Sequence, residues 1–288
     1  MIFFMKTLLV GEIHEDAYGL LKEKVEVSQL STEEFLQQPS LNHEAIILRT
    51  YTPLQKEQLS KLPRLKKVVS CSVGINNIDL EELKRREIEL IHCPGTNSNA
   101  VAEHTLHLIL ALCRHKIPFT ELTGKTIGII GFGYIGKLVA KKLNGFNANV
   151  IAYDIIEQDQ KSLEELNVKM KPLSEILLNA DIITIHVPLF PQTKGMINEN
   201  IFSQMKDGCL FINTSREEII DDEALLRHFP RFEGAALDVY SERIKEELSG
   251  KSNIILTSHI GAQGKESWRR MCVEPVEKYL NKIEMKKN

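Results

Sequence analysis

Ile127-Gly128-Ile129-Ile130 runs without a break into Gly131-Phe132-Gly133-Tyr134-Ile135-Gly136. Three glycines at this spacing suit a phosphate group when a strand delivers them and a helix follows. The preceding run is β-branched, and Ile135, Leu138, Val139 and Leu143 recur on one helical face, so both conditions are met. Gly131 permits the tight turn, Gly133 lets the backbone approach a pyrophosphate, and Gly136 lets the helix pack close to the strand. Phe132, Tyr134 and Ile135 complete the candidate loop, whose free N–H groups, aided by the helix dipole, bind phosphate oxygens. Val150-Ile151-Ala152-Tyr153 then ends in Asp154, eighteen positions after Gly136. A carboxylate there accepts hydrogen bonds from an adenosine ribose and repels a 2′-phosphate, so NAD is expected rather than NADP. The plainer alternative is a glycine turn followed by a surface aspartate.

These groups need a frame, and the apolar pattern supplies one. Leu8–Val10, Val25–Val27, Ala45–Leu48, Lys67–Ser70 and Ile88–Ile91 read as strands, with helical spacing over Ala17–Lys24, Pro53–Lys61 and Leu80–Arg86. Pro94-Gly95 breaks the pattern, and a strongly apolar helix is expected from Ser98 to His115, ended by Pro118. A helix this apolar must be buried, either between domains or against a second subunit. A second series of strands is expected at Thr126–Ile130, Val150–Tyr153, Ile182–His186, Cys209–Asn213, Gly234–Leu237 and Ile254–Thr257. The last helix, Glu266–Lys282, is expected to return to the first domain. Strand–helix alternation of this kind means α/β architecture with parallel sheets covered on both faces. The expected division is a discontinuous domain of 1–94 plus 267–288 and a dinucleotide-binding domain of 95–266.

Composition excludes several classes of function. The chain has 288 residues, 43% hydrophobic and 26% charged, an ordinary globular balance. Thirty-six Lys and Arg against 39 Asp and Glu leave a formal charge of −3, without the basic field that nucleic acid requires. No membrane partner is expected, because the longest apolar stretch, Leu106–Cys113, is far below the ~20 residues of a spanning helix. Met1-Ile2-Phe3-Phe4-Met5 is interrupted by Lys6 and lacks a small-residue cleavage site, so a cytoplasmic location is expected rather than export. The cysteines at 71, 93, 113, 209 and 272 form no C-x-x-C pair and read as scattered buried thiols, and no metal site is expected.

The ordered set of motifs resembles the D-isomer-specific 2-hydroxyacid dehydrogenase family over nearly the whole chain. Ser72-Val73-Gly74-Ile75-Asn76-Asn77-Ile78-Asp79 is similar to the family's substrate loop, and Pro94-Gly95-Thr96-Asn97 with Val101-Ala102-Glu103 to its hinge and long helix. Leu122 to Thr126 leads into the glycine loop in the family manner. His186-Val187-Pro188-Leu189 with Thr193 follows, then Ile212-Asn213-Thr214-Ser215-Arg216 and Asp221 to Leu225. Ala236-Leu237-Asp238-Val239-Tyr240 and Thr257-Ser258-His259-Ile260-Gly261 close the series. The resemblance implies two flavodoxin/Rossmann-like doubly wound domains with a cleft between them. It also implies a homodimer through the Val101–Cys113 helix.

The family's chemistry needs a hydride from nicotinamide, a proton for the carbonyl oxygen and a counter-charge for the substrate carboxylate. The resemblance assigns the proton to His259, whose imidazole titrates near ~6.5. It assigns the carboxylate to Arg216, whose planar fork can also polarise the keto oxygen, aided by the backbone N–H groups of Val73 and Gly74. His186, Val187, Pro188, Thr193, Thr214, Ser215, Asp238 and Gly261 would line the cofactor with Arg216 and His259, Asp238 facing the nicotinamide carboxamide. Two departures stand out. Glu217 replaces the family's usual Gly after the arginine, and Arg243 stands five positions after Asp238, where the family has a Glu paired with the histidine. Glu242, one step earlier, is the expected partner, with Glu246 and Glu247 behind it, and such a carboxylate would raise the His259 pKa.

Arg49, after the Ile46–Leu48 strand, is either a phosphate ligand, which would favour 3-phosphoglycerate, or a surface charge. Glyoxylate or hydroxypyruvate reduction is the alternative substrate reading. A non-catalytic, NAD-sensing binding protein on the same scaffold is the alternative of another class, favoured by the displaced Glu.

Overall fold

Runs of Val, Ile and Leu make the strands, and most inner strands of each sheet are buried on both faces, as parallel sheets require, while the edge strands are partly exposed. The computed structural model describes residues 5–115 and 119–285. Met1 to Phe4, the helix-ending Pro118 and the last three residues of the basic C-terminal run lie outside the described residues. The chain divides into two compact units, Met1–Asn97 with Gly264–Asn288, and Ser98–Gln263. The changeovers fall where the helices Ser98–Cys113 and Lys265–Glu284 begin, three residues from the breaks read off the sequence.

In the first unit β1 (Lys6–Val10), β2 (Glu26–Leu30), β3 (Ala45–Leu48), β4 (Lys67–Ser70) and β5 (Glu89–Ile91) form a parallel sheet in the order β2-β1-β3-β4-β5. Leu8, Val10, Ile46, Leu48 and Val68 pack on one side with Phe35, Leu59 and Leu83. Leu9, Ala45, Ile47 and Val69 pack on the other, against Leu21 of the helix Glu15–Lys24 and Cys272, Val276, Tyr279 and Leu280 of Lys265–Glu284. The C-terminal helix is part of this core, its buried Val276 and Leu280 each contributing about 1.5–3 kcal/mol. Glu89 adds a polar tie, pairing with both the buried Lys67 of β4 and Lys282 of the C-terminal helix. The helix Thr32–Gln37, unexpected from periodicity, starts at a capping box between Ser31 and Glu34.

The second unit holds β6 (Thr126–Ile130), β7 (Asn149–Tyr153), β8 (Val168–Met170), β9 (Ile182–Ile185), β10 (Leu210–Asn213), β11 (Gly234–Leu237) and β12 (Ile254–Leu256). All are parallel, in the order β12-β11-β10-β9-β6-β7-β8. The chain builds outward from β6 through β8, returns, and builds the other way from β9, so the topological switch lies between β6 and β9. β8 escaped the sequence reading because it is three residues long with a lysine at its centre. Ala102, Leu108, Ile109 and Leu112 of the helix Ser98–Cys113 are buried against Ile127, Ile129, Ile212 and Ala236 of this sheet. The apolar face of that helix is therefore covered within its own unit, and its composition does not by itself call for a second subunit.

Candidate active site

In a parallel sheet the loops after the strands collect at one edge, and the candidate residues of the second unit sit on six such loops. After β6, Gly131 has φ +93°, and a Cβ there would lie 2.7 Å from the His186 carbonyl carbon. A Cβ on Gly136 would lie 2.3 Å from the Gly131 oxygen. These two glycines are required by the protein's own packing. Gly133 differs, since a Cβ there would meet nothing within 4 Å. Behind it the helix Tyr134–Leu143 starts without a side-chain cap or an acidic residue in its first turn. Uncapped N–H groups behind an open cradle fit a pyrophosphate. Asp154, after β7, accepts from Phe132 N at 2.6 Å and Ile156 N at 2.9 Å. It thus fixes the glycine loop, and each carboxylate oxygen keeps acceptor capacity for a ribose hydroxyl.

After β9, His186 is buried beside Gly131, its Nε2 3.0 Å from Thr184 Oγ1 and its Nδ1 without a partner. Burial drives its pKa down to about 3, so it is neutral. Val187 and Pro188 follow, and Thr193 turns its hydroxyl back to donate to the Pro188 carbonyl at 2.6 Å. After β10, the buried Asn213 accepts from the Ser215 N–H at 3.0 Å and hydroxyl at 2.7 Å and donates to the Arg216 carbonyl at 3.0 Å. That turn presents Thr214, whose hydroxyl lies 3.1 Å from that of Thr105, and then Arg216. The Arg216 Nη1 donates to the Ser215 carbonyl at 2.7 Å. Among the described residues it pairs with no carboxylate, and burial lowers its pKa, opposed by Glu218.

Asp238, after β11, is 2% exposed. It accepts from Thr257 Oγ1 at 2.6 Å, Ile260 N at 2.9 Å and Gly261 N at 2.9 Å, with His104 Nε2 at 3.3 Å. Burial pushes its pKa up, but the hydrogen bonds from His104, Thr257, Gly261 and Ile260 outweigh it and hold the carboxyl at about 2. His259, after β12, has φ +53° and donates its N–H to the Asp238 carbonyl at 2.8 Å. Its pKa is lowered by burial first and by Arg216 second, with Asp238 opposing.

The structure does not bring Glu242 to His259. Ser241 caps the helix Glu242–Leu248, which buries Ile244 and Leu248 and turns its charged residues to water. Glu242 is 80% exposed and pairs with Lys245 at 3.1 Å, while Arg243 pairs with Glu223 at 2.6 Å. Glu246 and Glu247 are exposed on the same helix. Without that carboxylate the expected rise in the His259 pKa does not occur, and burial, then Arg216, lower it instead. Glu217 is exposed, and burial, Glu218, Asp222 and Glu242 raise its pKa.

In the first unit, Arg49 after β3 and Val73-Gly74 after β4 stand on neighbouring strand ends. Asn77 donates to the carbonyls of Arg49 at 3.1 Å and Thr52 at 2.6 Å, and Ser72 Oγ accepts from Thr50 N at 3.1 Å, which ties the two loops together. The Arg49 guanidinium lies 4.0 Å from the Trp268 ring centre and 5.3 Å from that of Tyr51. Its Nε is buried without a hydrogen-bond partner.

Sequence reasoning passed over His104 and Trp268 and gave Asn213 no role beyond its place in a motif. His104 carried a signal, since it sits three residues after Val101 and four before Leu108, on the buried face of an apolar helix. Among the described residues no helix is long and apolar enough to cross a membrane.

A glycine-loop cradle at the switch point of a doubly wound sheet, with Asp154 after the next strand, defines a dinucleotide-binding α/β protein. The pattern of the D-isomer specific 2-hydroxyacid dehydrogenase NAD-binding domain matches residues 90–261, and the chain belongs to that family. It is 32% identical over 289 residues to the glyoxylate reductase of Pyrococcus furiosus, across 89% of this chain and 86% of the relative. It is 33% identical over 288 residues to the D-3-phosphoglycerate dehydrogenase of Archaeoglobus fulgidus, of which it spans about half, 54%. The crystal structure of D-lactate dehydrogenase from Aquifex aeolicus, complexed with NAD and lactic acid, matches with a TM-score of 0.84 at 30% identity. That match covers 96% of this chain and 95% of the other.

Proposed function

We propose that the protein is an NAD-dependent oxidoreductase acting on a D-2-hydroxy acid or its 2-oxo form. The observation that carries this reading is the pairing of Arg216 with His259. Two groups that repel one another as cations share one edge of the sheet, and among the described residues Arg216 has no carboxylate partner. A substrate carboxylate completes that arrangement, accepting both arms of the Arg216 fork. NAD, when bound, supplies the hydride chemistry; the Gly131–Gly136 loop, Asp154 and the loops after β9 and β10 would hold it. His259 as imidazolium donates a proton to the keto oxygen in reduction and takes one from the hydroxyl in oxidation.

For the substrate, Arg49 favours an acid with a second anionic group, of which 3-phosphoglycerate is the example. Its fork is held by stacking on Trp268, and its buried Nε lacks a partner. Glyoxylate or hydroxypyruvate is the second substrate reading. The exposed position of Glu242 favours the non-catalytic, NAD-sensing alternative. Following NADH oxidation at 340 nm with glyoxylate, hydroxypyruvate, pyruvate and 3-phosphohydroxypyruvate decides among them. Turnover fastest with the phosphorylated acid, and lost in Arg49→Leu, supports the first reading. NADH binding without turnover of any acid overturns the enzymatic one.

A further inference from the structure

His259 lacks the glutamate that the family resemblance implies, because the carboxylates of the helix Glu242–Leu248 face water. One anion nevertheless holds its loop from both sides. Asp238 takes hydrogen bonds from Thr257, two residues before His259, and from Ile260 and Gly261, directly after it. Its own carbonyl accepts the His259 N–H at 2.8 Å. These bonds keep His259 at φ +53°, a left-handed backbone that residues other than glycine rarely adopt.

Behind Asp238 stands His104, reaching in from the helix Ser98–Cys113. Thr257 has a single hydroxyl proton, and at 2.6 Å it goes to the Asp238 carboxylate, which can only accept. The 3.1 Å contact between Thr257 Oγ1 and His104 Nε2 therefore has His104 as donor, which assigns a proton to Nε2. The same N–H lies 3.3 Å from Asp238 Oδ1. Gly261 lets the group close, since a Cβ there would sit 2.9 Å from Asp238 Oδ2 and 3.3 Å from His104 Cδ2.

We propose that Asp238 is the counter-charge of the His259 imidazolium in this chain, and that His104 and Thr257 are positioning residues that orient it. The charged groups acting around the imidazole are then Arg216 from the loop after β10, which opposes protonation, and Asp238 from the end of β11, which favours it. His104, from the helix, bears on Asp238. The catalytic meaning of the proposal rests on the oxidoreductase reading, but its electrostatic part is a property of the free protein.

The test has two arms. In the first, the His259 imidazole is titrated by NMR in the protein without cofactor, its signal assigned by its loss in His259→Gln. Asp238→Asn should lower the His259 midpoint by about one pH unit, while the surface change Glu242→Gln leaves it where it is. A fall in Glu242→Gln, or an unmoved midpoint in a folded Asp238→Asn, overturns the counter-charge. The second arm does not depend on the stability of Asp238→Asn. His104→Leu should lower kcat for 2-oxo acid reduction on the order of 10–100-fold with the Kd for NADH unchanged, as expected for a small misplacement of the proton donor. His104→Gln, which keeps an N–H donor, should recover most of that loss. A His104→Leu enzyme with wild-type kcat, or one that Gln does not rescue, overturns the positioning role. If the wild type turns over no 2-oxo acid, the oxidoreductase reading falls and with it the positioning of a catalytic proton donor, while the titration still decides the counter-charge.

Discussion

Gly131 and Gly133 are two positions apart, yet a methyl group added at each should have opposite consequences. At Gly131 the new Cβ would lie 2.7 Å from the His186 carbonyl carbon and 2.8 Å from both its oxygen and Val187 N, all backbone atoms. The backbone there is at φ +93°. Such a left-handed conformation costs an L residue about 1–2 kcal/mol, and displacing packed backbone adds roughly 1–3 kcal/mol. Gly131→Ala should therefore lose roughly 2–5 kcal/mol of stability, about 4–20 °C in Tm for a domain of this size. At Gly133 φ is −86° and nothing lies within 4 Å of the added carbon. Changing a helix N-cap from Gly to Ala costs at most about 1 kcal/mol, so Tm should fall by less than about 4 °C. The methyl group would, however, fill the cradle in front of the helix, and the Kd for NADH should rise at least about tenfold, equivalent to about 1.4 kcal/mol. Calorimetric melting separates the two variants on stability, and fluorescence titration with NADH separates them on binding. A Gly131→Ala protein as stable as wild type, or a Gly133→Ala protein that binds NADH normally, would refute the assignment of these glycines.

Further outcomes follow from individual residues. Asp154 should make NADH bind more tightly than NADPH: like charges about 4 Å apart at an effective dielectric of ~20 cost about 4 kcal/mol, reduced by salt to about 1–2 kcal/mol at this half-exposed site. Equal affinities by titration would count against it. Arg216→Lys keeps the charge but loses the fork, so kcat/KM for 2-oxo acids should fall about 100-fold with NADH binding unchanged; near-normal turnover would mean that another group holds the carboxylate. Reduction uses protonated His259, whose pKa burial and Arg216 hold below 6.5, so kcat/KM should decline as pH rises through a midpoint below that value. A midpoint above 6.5 would contradict this arrangement. Glu89, paired with Lys282 and Lys67, has its pKa lowered from 4.5 to about 2, so its stabilising effect is complete above about 4.5 and lost as pH falls towards 2. Glu89→Gln leaves the buried Lys67 unpaired and should cost roughly 1–3 kcal/mol in urea unfolding at pH 7, after allowance for the partial exposure of Glu89.

Much of this protein is legible along the chain because its signals are local. Four-residue runs such as Ala45-Ile46-Ile47-Leu48 and Gly234-Ala235-Ala236-Leu237 can be buried on both faces only as central strands, and they form β3 and β11 with the expected limits. The glycine loop is equally local, since turn, close approach and helix start all fall within six residues, and Asp154 ends the very next strand. Weak local signals were lost: β8 is too short to show a period, and Thr32–Gln37 depends on its cap rather than on an apolar stripe.

What the tertiary structure alone decided is the company each charged group keeps. Counting from Asp238 pointed to Glu242, but a Ser cap and two apolar residues at helical spacing made that stretch a surface helix and put its carboxylates in water. Meanwhile His104, 134 positions before Asp238, reaches the same carboxylate as Thr257, Ile260 and Gly261. Periodicity and turn chemistry act over a few residues, and so the sequence by itself determined the strands, the phosphate loop and the family. Coulomb forces and burial act through space, and only the folded chain decides which distant residues they join.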